Sequence, residues 1–177
     1  MSNALLPLGM APTSFLNPPL LSQVALGELQ CQARKDLAVG AVPVLPVARR
    51  CQQRVLTRVC DQLWQEAEDG ARLYVLDFAG PAPRVKIGRA RSTAHLIRRI
   101  RGHLREKNKH GYGLVDAHIT PPATDVIRAE KQALQWMSYG YQRVPHTQEE
   151  FLGADFVIAE ACADMGVFWY NPQEEDD

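Results

Sequence analysis

Two short runs of strand-forming residues, RLYVLD and RVKIG, lie on either side of a turn that contains Gly80, Pro81 and Pro83. Branched and aromatic residues favour strands, whereas glycine and proline interrupt them, so this pattern predicts a β-hairpin. Side chains alternate across a strand, which places Tyr74 and Lys86 on the same side of the hairpin. The fold must therefore accommodate an antiparallel pair of strands.

Apolar residues repeat at helical spacing on both sides of the hairpin. Before it, residues 47–70 contain a stripe of apolar side chains at steps of four, which predicts a helix. After it, Ser92 or Thr93 caps a second helix, whose C-terminal half gives way to a basic loop, REKNKHGYG. The run LVDAHI that follows is a candidate for a third strand.

The next predicted helix, DVIRAEKQALQWMSY, follows Thr124 as its cap and carries one carboxylate within its apolar face. The face combines Glu130 with five apolar residues, namely Val126, Ile127, Ala133, Leu134 and Met137. An inward carboxylate must be paired, hydrogen-bonded or metal-bound, because a buried unpaired charge is very unfavourable. Glu130 is therefore either a metal ligand or the partner of an arginine.

These elements predict an α/β domain with a small, mainly antiparallel three-stranded sheet flanked by helices. We expect an irregular N-terminal extension over residues 1–46, where six prolines occur, and a helix over 47–70 that packs on the domain. The domain itself is predicted for residues 71–165, and an acidic tail for 166–177.

Charge is distributed unevenly, although the formal net charge is zero. Residues 84–109 hold ten lysines and arginines against one acid, and residues 147–177 hold nine acids without a lysine or arginine. A basic segment of this density predicts binding to a nucleic-acid backbone. The cations assigned to phosphate contacts are Arg89, Arg91, Arg98, Arg101, Arg105, Lys107 and Lys109.

Targeting signals are not evident in the chain. Prolines interrupt the apolar N-terminal residues, and no apolar run approaches the roughly 18 residues of a membrane helix. The four cysteines show no zinc-finger spacing. We expect a cytoplasmic protein that does not enter a membrane.

The hairpin, the helix after it and Glu130 together resemble the GIY-YIG nuclease superfamily. LYV at residues 73–75 corresponds to the first motif, KIG at 86–88 to the second, and RIRGH at 99–103 to the helix with the catalytic arginine. YQRVPHTQEEF resembles the ending of a branch, common in phages and mobile elements, whose second motif reads KIG. The first motif has Arg72 in place of its glycine.

This resemblance implies a small GIY-YIG-like domain that acts as a metal-dependent DNA endonuclease. Its catalytic residues would be Tyr74, Lys86, Arg99, His103 and Glu130. Tyr74 would prepare the attacking water, with its pKa lowered by nearby cations, and Glu130 would hold Mg²⁺ or Mn²⁺. Arg98 is the alternative to Arg99 as the arginine that binds the scissile phosphate.

Three functions fit the sequence. The first is hydrolysis of double- or single-stranded DNA. The sequence is also compatible with the formation of a homo-oligomer. The second is a non-catalytic DNA-binding module of the same fold, which Arg72 and Lys86 favour because they depart from the commoner motif residues. The third is a structural or regulatory protein that uses the basic segment to dock an acidic partner.

Overall fold

The computed structural model describes residues 46–66 and 68–171, and it confirms an α/β architecture. In chain order the elements are α1 (Pro46–Gln65), β1 (Arg72–Ala79), β2 (Arg84–Ala90), α2 (Thr93–Lys109), β3 (Gly113–Ile119), α3 (Val126–Gly140), β4 (Glu150–Leu152) and α4 (Phe156–Tyr170). Among the described residues, no helix combines the length and the apolar character needed to span a membrane. The predicted extension lies outside these residues except for Pro46, as do residues 172–177 of the predicted tail.

All four strands form one antiparallel sheet in the order β3-β1-β2-β4. The hairpin and the strand LVDAHI are confirmed. The prediction of three strands is wrong, because Glu150–Leu152 pairs with β2 as a fourth strand. Three residues are too few to show the alternation by which a strand is identified in a sequence.

Helices cover both faces of the sheet. On one face, Tyr74, Leu76 and Phe78 of β1 share a core with apolar residues of α1 and α2. The alternate residues Leu73 and Val75 belong to a second core, to which α3 and α4 contribute. β1 is therefore buried on both sides, as expected of a central strand between two helical layers.

Helices α3 and α4 pack closely through small residues. A Cβ atom at Gly166 of α4 would lie 2.8 Å from the carbonyl oxygen of Ala129 on α3. Asn171, just after α4, accepts a hydrogen bond from the backbone N–H of Thr124 at 2.8 Å. Residues 166–170 thus belong to α4, and the prediction that the acidic tail begins at residue 166 is wrong.

Three helix boundaries differ from their predictions. α1 ends at Gln65 rather than at residue 70. α2 continues to Lys109 instead of ending in a basic loop, because Leu104 and Asn108 in its second half are buried. Ser92 caps α2, but α3 is capped by Asp125 rather than Thr124, since the Asp125 carboxylate accepts from the N–H of Arg128 at 3.0 Å.

Arg72 has a structural position in the fold. Its side chain is 1% exposed and pairs with Glu66, which follows α1. It also donates hydrogen bonds to the backbone oxygens of Glu68, at 2.7 Å, and Thr120, at 3.1 Å. Arg72 therefore connects the end of α1 to β1 and to the residue that follows β3.

Candidate active site

The hydroxyl of Tyr74 is the centre of a polar cluster on the sheet face covered by α1 and α2. Tyr74 pairs with Gly88 in the β1–β2 register, and its ring crosses above that glycine. A Cβ atom at position 88 would lie 2.5 Å from the Tyr74 hydroxyl oxygen. The glycine of the KIG motif is therefore required for the tyrosine to occupy this position.

Two side chains of α2 bind the Tyr74 hydroxyl. Arg99 Nε donates a hydrogen bond to it at 2.8 Å, and His103 Nε2 lies 2.9 Å from it. A guanidinium group has no acceptor, so the tyrosine oxygen accepts from Arg99. When His103 carries its ring proton on Nδ1, its Nε2 accepts the proton of the Tyr74 hydroxyl. The two residues are four positions apart and project from the same side of the helix.

Burial controls protonation within this cluster. It raises the pKa of Tyr74 to about 12, although the charge and hydrogen bond of Arg99 act in the opposite direction. Burial, together with the charges of Lys86 and Arg99, lowers the pKa of His103 to about 3. Arg99 does lower the Tyr74 pKa, but the predicted net lowering is wrong, because lost solvation outweighs its effect. At neutral pH, a neutral tyrosine thus faces a neutral imidazole that can accept its proton.

Lys86 joins the cluster through Glu149, a residue that sequence analysis did not assign to the site. Lys86 Nζ donates to Glu149 Oε2 at 2.5 Å, and the same oxygen lies 3.6 Å from a terminal nitrogen of Arg99. Lys86 is 5% exposed, and a buried lysine requires an anionic partner. The inward position of Lys86 signals such a partner, but the acid itself is 63 residues away in the chain.

Glu130 approaches from α3 and is buried, as predicted, with 6% of its surface exposed. Its carboxylate pairs with Arg89, which is the ion pair that sequence analysis left open as the alternative to a metal. Burial raises the pKa of Glu130, Arg89 opposes the rise, and the charge of Glu149 adds to it. The charges of both carboxylates also raise the pKa of Tyr74. Ile127, predicted on the same inward face, is instead 61% exposed.

The orientation of α2 separates Arg99 from Arg98. Arg99 contacts Tyr74, whereas Arg98 faces solvent. Arg98 belongs to a row of exposed cations at spacings of three and four residues, which place them on one side of the helix. We call this row the basic stripe; its members are Arg98, Arg101, Arg105 and Lys109. Arg91, just before α2, is also exposed.

Three of the cations predicted to contact phosphates are paired with acids of the protein, among them Lys109, which lies 4.0 Å from Glu106 on the helix surface. Lys107 is 14% exposed and donates to the buried carboxylate of Glu150 at 2.7 Å. A phosphate contact by Lys107 would have to compete with Glu150, and it stays a prediction. Arg89 pairs with Glu130 and keeps 42% of its side chain exposed.

A second group of possible metal ligands lies between β3 and α4. His118 Nε2 is 2.7 Å from Asp164, and His118 Nδ1 is 3.3 Å from Glu160. Burial favours the neutral ring, but Asp164 and Glu160 outweigh it and raise the pKa of His118. Because each carboxylate binds a different ring nitrogen, the geometry is that of a protonated histidine between two acids, which joins β3 to α4.

A comparison with protein-family models, curated proteins and solved structures found no significant match for this chain. The resemblance to GIY-YIG nucleases accordingly rests on the motifs and stays a prediction. Within the structure, Tyr74, Arg99 and His103 are in direct contact. Lys86 reaches Arg99 through Glu149, whereas Glu130 is held by Arg89.

Proposed function

We propose that this chain is a metal-dependent endonuclease that hydrolyses phosphodiester bonds in DNA. The observation that carries the proposal is the Tyr74 hydroxyl held between Arg99 Nε and the neutral His103 Nε2. When His103 carries its ring proton on Nδ1, the hydroxyl has a donor on one side and an acceptor on the other, and it can receive a proton while it passes its own proton on. The cations around it suit an anionic substrate.

This arrangement provides a path for the proton of the attacking water. As the water oxygen bonds to phosphorus, its proton passes to the Tyr74 oxygen and the Tyr74 proton passes to His103 Nε2. The tyrosine is never fully ionised, which is consistent with its pKa of about 12. His103, whose pKa is about 3, then releases the proton to solvent, and the departing oxygen takes a proton from solvent. The reaction therefore adds water across the broken P–O bond.

Lys86 and Arg99 form an anion site that the Glu149 carboxylate occupies. A DNA phosphate also offers anionic oxygens, and we propose that it replaces Glu149 there. Arg99 uses Nε for Tyr74 and keeps its two terminal nitrogens for the phosphate. Tyr74 has no exposed surface, so displacement of Glu149, which is 34% exposed, would also admit water to the hydroxyl.

Glu130 would hold the Mg²⁺ or Mn²⁺ ion, and the charge of Glu149 acts on it. The charge of Glu149 raises the pKa of Glu130, so the two carboxylates repel one another, and a hard divalent cation relieves that repulsion. When bound, the ion would supply positive charge to the phosphate during cleavage. Arg89 would have to share or release the Glu130 carboxylate.

The first prediction tests the tyrosine. Tyr74→Phe removes the hydroxyl and keeps the ring, so we expect cleavage of plasmid or single-stranded DNA to fall by roughly 10²–10⁴ while DNA affinity persists. Tyr139→Phe is the matched control, because Tyr139 is 77% exposed on α3. If Tyr74→Phe cuts DNA as fast as the parent in a chemistry-limited assay, the proton path is refuted.

The second prediction tests the metal. EDTA should abolish cleavage, and Glu130→Gln should reduce Mg²⁺-dependent cleavage at least about 100-fold while DNA binding is retained, because the change removes charge but little volume. Glu160→Gln, in the His118 group, should cut like the parent and serves as the control. Undiminished cleavage by Glu130→Gln would remove this residue from the metal site.

The non-catalytic DNA-binding module is the second candidate function. It is favoured by the complete burial of Tyr74 and by the pairing of Glu130 with Arg89, since both arrangements are stable without substrate. This protein would shift DNA in a salt-dependent way but would not cut it with Mg²⁺ or Mn²⁺. The same cleavage assay therefore distinguishes the two functions.

A further inference from the structure

The outer face of α4 is apolar along the whole helix. Every exposed position of α4 is an apolar residue: Val157, Ile158, Ala161, Met165, Phe168 and Trp169. The five large side chains among them are 47% to 70% exposed. A helix on the surface of a single domain normally turns polar residues to solvent, and a continuous apolar face marks an interaction surface.

We propose that the α4 outer face is the contact between two copies of this chain. Phe168 and Trp169, at 65% and 70% exposure, offer about 300 Å² between them. The whole face is on the order of 600 Å². Two such faces would bury roughly 1,200 Å² in total, which is the lower end of the area buried in specific protein–protein interfaces.

The spacing of the face suits a helix-to-helix contact. Val157, Ala161, Met165 and Trp169 follow one another at steps of four and form a single ridge along α4. The ridge of one copy can pack into the groove beside the ridge of the other, and the small Ala161 side chain lets the two helices approach closely. Because the face is uncharged, it is complementary to itself, as two-fold symmetry requires.

Charges around the face do not oppose this contact. Glu160 and Asp164, the acids of α4, share His118 as a partner, which offsets one of their two negative charges when it is protonated. Two copies with zero formal net charge also have little long-range repulsion. α4 covers the sheet face opposite Tyr74, so the contact leaves the Tyr74 side and the basic stripe of each copy uncovered. This contact between two copies is independent of the proposed nuclease function.

The test is sedimentation of the full chain across a range of micromolar concentrations. We expect a monomer–dimer equilibrium in the parent protein. Met165→Glu places a charge in the middle of the face and should weaken dimerisation roughly 30-fold or more. Met165 is 54% exposed, so the variant should keep its fold, which circular dichroism can check. The matched control is Trp64→Glu on α1, where Trp64 is 43% exposed, and it should dimerise like the parent.

A parent chain that stays monomeric at every concentration would overturn the proposal. Acrylamide quenching of tryptophan fluorescence, compared between the parent and Trp169→Phe, then shows whether something else covers the α4 outer face. A protected Trp169 would assign the face to residues 1–45 of the same chain, and a fully quenched one would leave it for a different protein. A dimer that persists in Met165→Glu would equally exclude this face as the contact.

Discussion

At position 88 of β2 there is room for a hydrogen atom but not for a methyl group. Tyr74 occupies that space, with its ring carbon Cζ 2.6 Å from where a Cβ would stand. The tyrosine is fully buried, so its ring cannot move aside into solvent. Gly88 therefore allows the Tyr74 ring to lie close to β2, where Arg99 and His103 bind its hydroxyl.

The third prediction follows from this contact. Gly88→Ala should lower the free energy of unfolding by about 1–3 kcal/mol, because overpacking a core forces side chains or backbone to shift. It should also impair any reaction that needs the Tyr74 hydroxyl in place. Urea unfolding measures the first effect. Gly102→Ala is the control: a Cβ at Gly102 would meet no heavy atom within 4 Å, and an exposed helical glycine replaced by alanine should gain up to about 1 kcal/mol. Equal stability of Gly88→Ala and the parent would contradict the steric argument.

At the scale of single elements, α2 combines two functions on two sides. One side carries Arg99 and His103 towards Tyr74, and the neighbouring side carries the basic stripe into solvent. Burial lowers the pKa of His95, and the positive charges of Arg98, Arg99 and Arg91 lower it further. A positive field of this kind is suited to phosphates that pass along the helix towards the Tyr74 cluster.

The fourth prediction concerns the basic stripe. Arg101→Ala and Arg105→Ala should each weaken DNA binding and should reduce the slope of log affinity against log salt by about one unit for each lost phosphate contact. Fluorescence anisotropy at several salt concentrations measures that slope. Arg128→Ala on α3 is the control, because Arg128 is 72% exposed on the opposite helical layer. An unchanged slope in both stripe variants would place the DNA path on another surface.

At the scale of the whole molecule, the protonation of one acid in the sheet makes the free energy of unfolding depend on pH. Asp77 of β1 pairs with Asp116 of β3 in the strand register. Burial first, and then the charges of Asp116 and Asp155, raise the pKa of Asp77 to about 6. The folded protein therefore holds the Asp77 proton more tightly than the unfolded chain does, and the stability this proton contributes is lost as the pH rises from about 4 to 6.

The fifth prediction follows from this loss of stability with rising pH. Asp77→Asn cannot ionise, so its stability relative to the parent should grow as the pH rises from about 4 to 7. After allowance for solvent screening, we expect a gain of about 1 kcal/mol at pH 7. Urea unfolding at several pH values measures the difference, and Asp61→Asn, at an exposed position on α1, is the control. A constant difference between pH 4 and 7 would show that Asp77 titrates normally in the folded protein.

The order and type of most elements follow from the sequence alone. The hairpin, α1, α2, β3 and α3 are all marked by periodicity, breakers or caps, which are properties of neighbouring residues. The same local patterns predict that Tyr74 and Lys86 share a face of the sheet and that Glu130 points inward, and both statements are confirmed. α4 was not predicted, because its exposed side is as apolar as its buried side and gives no helical period.

The electrostatic state of the candidate site was decided only by the tertiary structure. The sequence contains the cations around Tyr74 but does not show its burial, and burial is the larger effect on its pKa. Glu149 and Glu150 reach Lys86 and Lys107 only because the β2–β4 pairing brings them together from distant parts of the chain. Local patterns determine which way a side chain points. Its partners and its solvation depend on what the rest of the fold places around it.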